Sequence, residues 1–215
     1  MKLIAGLGNP GEKYEKTRHN LGFIILDHLL KDLKSVDQDK WEDNPKLKSE
    51  VFILDWQPKG GRRPEGSAPE GENQKIILAK PKTYMNNSGM AVSAIVSFYK
   101  IDPSDIWVIH DELDLPLGTM KIRFGGSGAG HHGVESIIKA LGTDKFWRFR
   151  MGIGISKNYD EIARHKFKNT DDFVLDRFTT HDTRTVKHLI KRGADALKTA
   201  LEKDMHSAMN RFNTK

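Results

Sequence analysis

The chain has 215 residues, 37% hydrophobic and 30% charged, with a formal charge of +6, which is enough chain to enclose a core and too polar for a membrane protein. No apolar stretch approaches the roughly 20 residues of a membrane helix, and the short glycine-rich N-terminus has no apolar segment of signal-peptide length. The absence of cysteine removes thiol nucleophiles, disulfides and thiolate metal sites, and fits a cytoplasmic setting.

The run Lys2–Leu7 predicts a strand, and Gly6, Gly8 and Gly11 match G-x-G-x-x-G, the fingerprint of a dinucleotide loop. Its context fails. Pro10 and a polar run delay the helix to Leu21, and the acids at the right distance, Asp27 and Asp32, fall inside the helical pattern Leu21–Leu33. Asn20 is placed to cap that helix. Strands are predicted at Ser49–Asp55 and Lys75–Ala79. Between them Gln57–Gln74, with three Pro and four Gly, reads as an enlarged, mobile hairpin loop rather than a domain boundary.

Further on, the pattern predicts a helix at Gly89–Tyr99, strands at Ile106–Ile109 and Met120–Phe124, a helix at Val134–Leu141 stopped by Gly142, and a strand at Arg148–Ile155. A second glycine match, Gly128–Gly133, lies between a strand and a helix but lacks a ribose-binding acid. It reads as a βα turn whose N–H groups can hold a phosphate or carboxylate. A helix at Thr183–Leu201 follows in a basic C-terminal region, where His181–Lys215 carries eight Lys/Arg against four Asp/Glu. Such a region fits a polyanion such as nucleic acid, and equally a solvated face. Strands alternating irregularly with helices predict an α/β fold over residues 1–215, a single-domain three-layer α/β/α sandwich with a mixed central sheet.

Three polar segments stand beside glycines and core strands, at residues 8–20, 80–89 and 110–118. They offer His19 before a helix, Asn86 and Asn87 at the start of another, and Asp111 where the apolar run Ile-Trp-Val-Ile ends. Imidazole takes a proton from water near neutral pH, a carboxylate on its other nitrogen fixes the tautomer, and amide donors oppose charge on a carbonyl oxygen. These parts suffice for ester hydrolysis without a covalent intermediate. A helix-capping or core histidine is the competing reading of His19. His110, His131 and His132 lack the further ligands at recognisable spacing that a zinc site needs, so no metal is expected.

The segments G-L-G-N-P-G, Y-x-x-T-R-H-N-x-G from Tyr14 to Gly22, K-P-x-T-Y-M-N-x-S-G, D-E-L-D-L-P-x-G and the glycine loop ending at His131 together resemble bacterial-type peptidyl-tRNA hydrolase, in that family's order. The resemblance implies an enzyme that cleaves the ester between peptide and tRNA without metal or cofactor, recycling tRNA from aborted translation as a cytoplasmic monomer. It implies that His19 is the general base, that Asp111 orients it, and that Asn9 sorts peptidyl-tRNA from aminoacyl-tRNA. On that resemblance the first glycines let the backbone and Asn9 approach the substrate. It further implies that Tyr14, Tyr84 and Asn86 meet the tRNA 3′ end or the peptide, that Met85 lines the cleft wall, and that Lys121, Arg123 and Arg148 clamp acceptor-stem phosphates. A non-catalytic RNA-binding relative of the same fold is the alternative.

His132 stands where the family usually has Asn after the loop histidine. Imidazole still donates one hydrogen bond and accepts another, but it is bulkier than an amide and gains charge in acid. His132→Asn is therefore expected to change KM for the natural substrate or the pH profile of release; identical profiles would show that the ring adds nothing.

Overall fold

Leu3, Ile4 and Ala5 are fully buried, and so are Ile76, Ile77, Leu78 and Ala79. A strand apolar on both faces must be covered on both, in the middle of a sheet with helices above and below. The computed structural model, which describes residues 1–33, 41–57, 74–154 and 170–213, has that arrangement. Strand β1 (Lys2–Gly6) runs parallel to β4 (Gln74–Pro81) on one side and β5 (Ile106–Pro116) on the other. β7 (Trp147–Gly154) extends the parallel part beside β5. Antiparallel strands finish both edges: β3 (Ser49–Trp56) and β2 (Glu42–Asn44) beyond β4, and β6 (Met120–Phe124) beyond β7. The order is β2-β3-β4-β1-β5-β7-β6, the mixed sheet expected from the sequence.

The helices divide by face. Ile4, Ile76, Leu78, Trp107, Ile109 and Phe149 turn toward α1 (Leu21–Leu33), α5 (Thr183–Glu202) and α6 (Met205–Phe212). Leu3, Ala5, Ile77, Ala79, Ile106 and Val108 turn toward α2 (Ser88–Tyr99) and α3 (His132–Leu141). Period-two alternation along each strand thus fills two cores, giving three layers. Helix ends follow local chemistry: α2 and α3 stop at left-handed Lys100 (φ 53°) and Gly142 (φ 68°), and Asp204 caps α6 by accepting from Ser207 N at 2.6 Å.

The structure departs from the sequence reading in four places. β5 does not end at Ile109 but runs through His-Asp-Glu-Leu-Asp-Leu to Pro116, still paired to β7. Its polar residues break the apolar run because several of them are buried for chemistry rather than packing: His110, Asp111 and Glu112 are 6% exposed or less. β2 and the six-residue α4 (Thr170–Leu175) carry too little periodicity to be read, and the sequence reading missed α6 although Met205, Ala208, Met209 and Phe212 stand at helical spacing. Residues 58–73 of the expected hairpin loop and Ile155 of the last expected strand lie outside the described residues.

At the basic edge, β6 is finished by a side chain. Asn213, just after α6, accepts from Ile122 N at 2.6 Å and donates to Ile122 O at 3.0 Å, as a neighbouring strand would. On the opposite core face α2 lies so close to α3 that a Cβ on Gly89 would come within 2.1 Å of Ser136 O. Gly89→Ala is therefore expected to force the two helices apart and destabilise the fold by about 3 kcal/mol, at the upper end for overpacking, measured as a fall in the urea midpoint with unchanged slope.

Candidate active site

β1 ends at Gly6 while β5 continues, so Asp111 stands one repeat of the pleat beyond the last β1 pairing, Gly6↔Ile109. Sheet carboxyl ends are where α/β folds place their sites. Two other segments meet there. The turn Arg18–Asn20 carries His19 into position immediately before α1, and the loop before α3 carries His131. His19 Nδ1 lies 3.0 Å from both oxygens of Asp111, and His131 Nε2 lies 3.0 Å from Oδ1. One carboxylate, 2% exposed, is shared by two imidazoles from separate segments.

The tautomers follow from the hydrogen bonds. His131 Nδ1 accepts from Val134 N at 3.3 Å as the cap of α3, so its proton is on Nε2 and is donated to Asp111. His19 in turn donates from Nδ1 to the carboxylate, which leaves Nε2 with a lone pair in the cleft that His19 lines. Burial alone would raise the Asp111 carboxyl, but the charges and hydrogen bonds of His19 and His131 outweigh it and hold the group well below the usual carboxylate range. Asp111 is therefore ionised throughout the neutral range. His19, Asp111 and His131 also form the one cluster among the described residues with donor atoms close enough to share a metal ion. Their 3.0 Å contacts are hydrogen-bond lengths, and His131 presents a proton there rather than a lone pair.

Asn9 borders this centre. Its backbone N–H donates to Asn20 Oδ1 at 2.8 Å and its carbonyl accepts from Asn20 Nδ2 at 2.9 Å, so one buried amide fixes the loop after β1. Its own Oδ1 accepts from Met85 N at 2.8 Å, which leaves Nδ2 as the donor available to a ligand. Tyr84, 55% exposed, is held at φ 57°, a conformation that is strained for a bulky residue. Tyr14 meets it edge-on at 6.4 Å. Asn86 and His132 are exposed and Met85 is buried; with Asn9, His19 and Tyr84 all three line a cleft of about 270 Å³. That cleft shares His19, His132, Asp171 and Val174 with one of about 370 Å³ beside Asp111.

Two glycines of the opening motif serve packing. A Cβ on Gly6 would lie 2.5 Å from Gly22 O, and one on Gly8 would lie 2.8 Å from the Phe23 ring, so both admit α1 rather than a ligand. The basic residues also separate. Lys121 and Arg123 are exposed on β6, across from Arg150 and Arg148 on β7. Arg148 corrects the expectation of a phosphate clamp: it is 3% exposed, and its guanidinium donates to Gly125 O and, at 2.6 Å, to Ser127 O. Its charge holds the glycine loop from beneath. The sequence reading missed His131 as the second partner of Asp111, Asn20 as the support of Asn9, and α4 as a cleft wall. Only the His-His pair after the glycine loop signalled any of these.

Residues 3–215 match the family model described as Peptidyl-tRNA hydrolase. The peptidyl-tRNA hydrolase of Bacillus cereus (strain Q1) is 40% identical over 216 residues, covering all of both chains. That of Aquifex aeolicus (strain VF5) is 38% identical over 213 residues, 99% of this chain and 96% of its own. The crystal structure of peptidyl-tRNA hydrolase from Acinetobacter baumannii superposes with a TM-score of 0.78 at 28% identity, covering 100% of this chain and 95% of that one.

His110, next to Asp111, is fully enclosed; burial first, and then the neighbouring His131, hold its pKa well below the ordinary value, so it stays neutral while its Nδ1 donates to Asp111 O at 2.7 Å. The unfolded chain takes up that proton below about pH 6.5 and the folded chain does not, so His110 lowers stability as pH falls. His110→Asn is expected to lose stability less steeply than wild type between pH 7 and 5, by up to about 1.4 kcal/mol per pH unit, read from urea unfolding at each pH.

Proposed function

The chain belongs to the peptidyl-tRNA hydrolase family and is an ester hydrolase of peptidyl-tRNA, and on that premise we propose that His19 is its general base and Asp111 the group that orients it. The observation that carries this reading is the pairing of His19 Nδ1 with both oxygens of a buried, ionised Asp111. His19 Nε2 takes a proton from a water molecule as the water oxygen attacks the ester carbonyl carbon. The tetrahedral intermediate gathers negative charge on the former carbonyl oxygen, which the exposed Asn86 amide is placed to meet from the cleft wall. When the carbon–oxygen bond to the ribose breaks, the imidazolium returns its proton to the departing ribose oxygen. Free tRNA and the peptide's carboxylic acid leave, the acid giving its proton to solvent, and His19 is ready again. Asp111 stabilises the imidazolium without taking its proton, since its carboxyl is far too acidic to keep one.

Asn9 supplies selection. With Oδ1 occupied by Met85 N, the amide presents a donor. A donor matches the carbonyl of an acylated amine, as in a peptide, and opposes the ammonium of an aminoacyl-tRNA. Tyr84 lines the same cleft with Tyr14 edge-on against it, and the pair offers aromatic surface to the terminal nucleotide or a peptide side chain. His132 and the apolar side of Met85 complete its rim. Lys121 and Arg123, exposed on the β6 edge, are the cations proposed for acceptor-stem phosphates. Facing Arg150 and Arg148 across the ladder, they form a like-charged face that Glu112, 2.8 Å from Arg150 Nε, neutralises only in part. Among the described residues no helix is long and apolar enough to cross a membrane. The reaction in this reading is that of a cytoplasmic monomer on free peptidyl-tRNA.

Release of an N-acetyl-aminoacyl group from charged tRNA tests the scheme. His19→Ala is expected to lower kcat by about 10²–10⁴-fold with KM little changed. The Lys121→Ala/Arg123→Ala pair is expected instead to raise KM and flatten its salt dependence by up to about 0.9 log unit for each phosphate no longer neutralised. A His19→Ala enzyme of wild-type kcat would remove the proposed base.

A further inference from the structure

Immediately before the proposed base, the chain buries a full positive charge. Arg18 is 4% exposed, and an unpartnered guanidinium there would be very costly. A distant segment, α4 and the turn after it, supplies partners. Nη1 donates to Phe173 O at 3.3 Å, and Nη2 lies 3.9 Å from Asp182 Oδ2. The guanidinium lies against the Phe173 ring at 4.3 Å and the Phe178 ring at 5.3 Å. The backbone repeats the attachment: Arg18 N donates to Asp176 O at 3.1 Å, and Thr17 bridges Arg177.

The same segment builds one side of the cleft. Thr170, Asp171 and Val174 of α4 face the loop 129–132 across the space that His19 and Asp111 line. Leu175 continues the wall beside Tyr84 and Asn86. A six-residue helix with an acidic start has little intrinsic stability, so its place is set by what it is attached to. The attachment is to the residue next to His19.

We propose that Arg18 is a positioning residue for substrate binding, which fixes the α4 wall at a set distance from His19 and so sets the width of the cleft that takes the acylated end of the tRNA. The inference rests on the reading of that cleft as the substrate site. Arg18 touches neither substrate nor the reacting atoms. The chemistry needs a guanidinium: its planar face meets two rings while its fork reaches a carbonyl and a carboxylate, a set of contacts that an ammonium cannot make together. Loss of the fork releases the wall while His19 keeps Asp111, which β5 and the His131 loop hold in place.

Steady-state release of N-acetyl-aminoacyl groups from charged tRNA, run well below each protein's melting midpoint, separates the outcomes. Arg18→Lys is expected to raise KM about tenfold while kcat and the low-pH limb of the rate profile stay as in wild type. Phe178→Leu, which removes one of the two rings and keeps the charge, is expected to move KM the same way by less, and decides the matter alone if Arg18→Lys does not fold. A fall in kcat or a displaced pH limb at constant KM would mean that Arg18 acts on His19 instead, and overturns the proposal. Unchanged kinetics with only a lower melting midpoint overturns it too. His19→Ala run alongside keeps the two readings apart, since loss of the base lowers kcat and leaves KM.

Discussion

A carboxylate buried on a central strand, just past the point where the neighbouring strand stops, is the constraint around which the rest of this molecule is arranged. Asp111 at 2% exposure is tolerable only as an anion with partners on both oxygens, and those partners are two imidazoles delivered from 92 residues before it and 20 after. Each imidazole is itself held. His131 is locked by Val134 N, and His19 sits in a short turn braced by α1 and by the Arg18 anchorage. The outcome is an ion whose protonation is set well away from neutrality and a histidine whose free nitrogen has one place to point.

The scaffold works by bringing backbone close to backbone. Gly6 and Gly22 let α1 touch the end of β1, which places the His19 turn within reach of β5. Asn20 then ties the loop after β1 through both peptide groups of Asn9, and Asn9 ties the Tyr84–Met85 turn. Arg148 does the equivalent for the glycine loop that ends at His131. Buried polar side chains acting on main-chain groups, rather than on one another, carry most of this positioning.

What the sequence made legible follows from the same physics. The sandwich was readable because β1 and β4 are apolar on both faces while α5 shows a helical stripe, with Val186, Leu189, Leu197 and Ala200 buried. The short elements were not: β2 is Glu-Asp-Asn, and α4 begins Thr-Asp-Asp, with no apolar period to see. Residue chemistry offered His19 and Asp111 as base and carboxylate, and family resemblance singled them out, but no spacing rule says that residues 19 and 111 touch. Arg148 was misread for the converse reason. A buried arginine on carbonyls and an exposed one on phosphates have the same letter, and only burial separates it from Arg123.

The amide of Asn213 carries a consequence for how the molecule behaves among its own copies. An outermost strand offers bare peptide groups to any passing chain, and lysine or arginine at alternate positions is one common deterrent. Here Asn213, just after α6, occupies the outward donor and acceptor of Ile122, between the two cations. Asn213 thus closes the middle of the rim proposed for a polyanion to a pairing strand, and Asn213→Ala would uncover bare peptide groups on the face the ligand approaches.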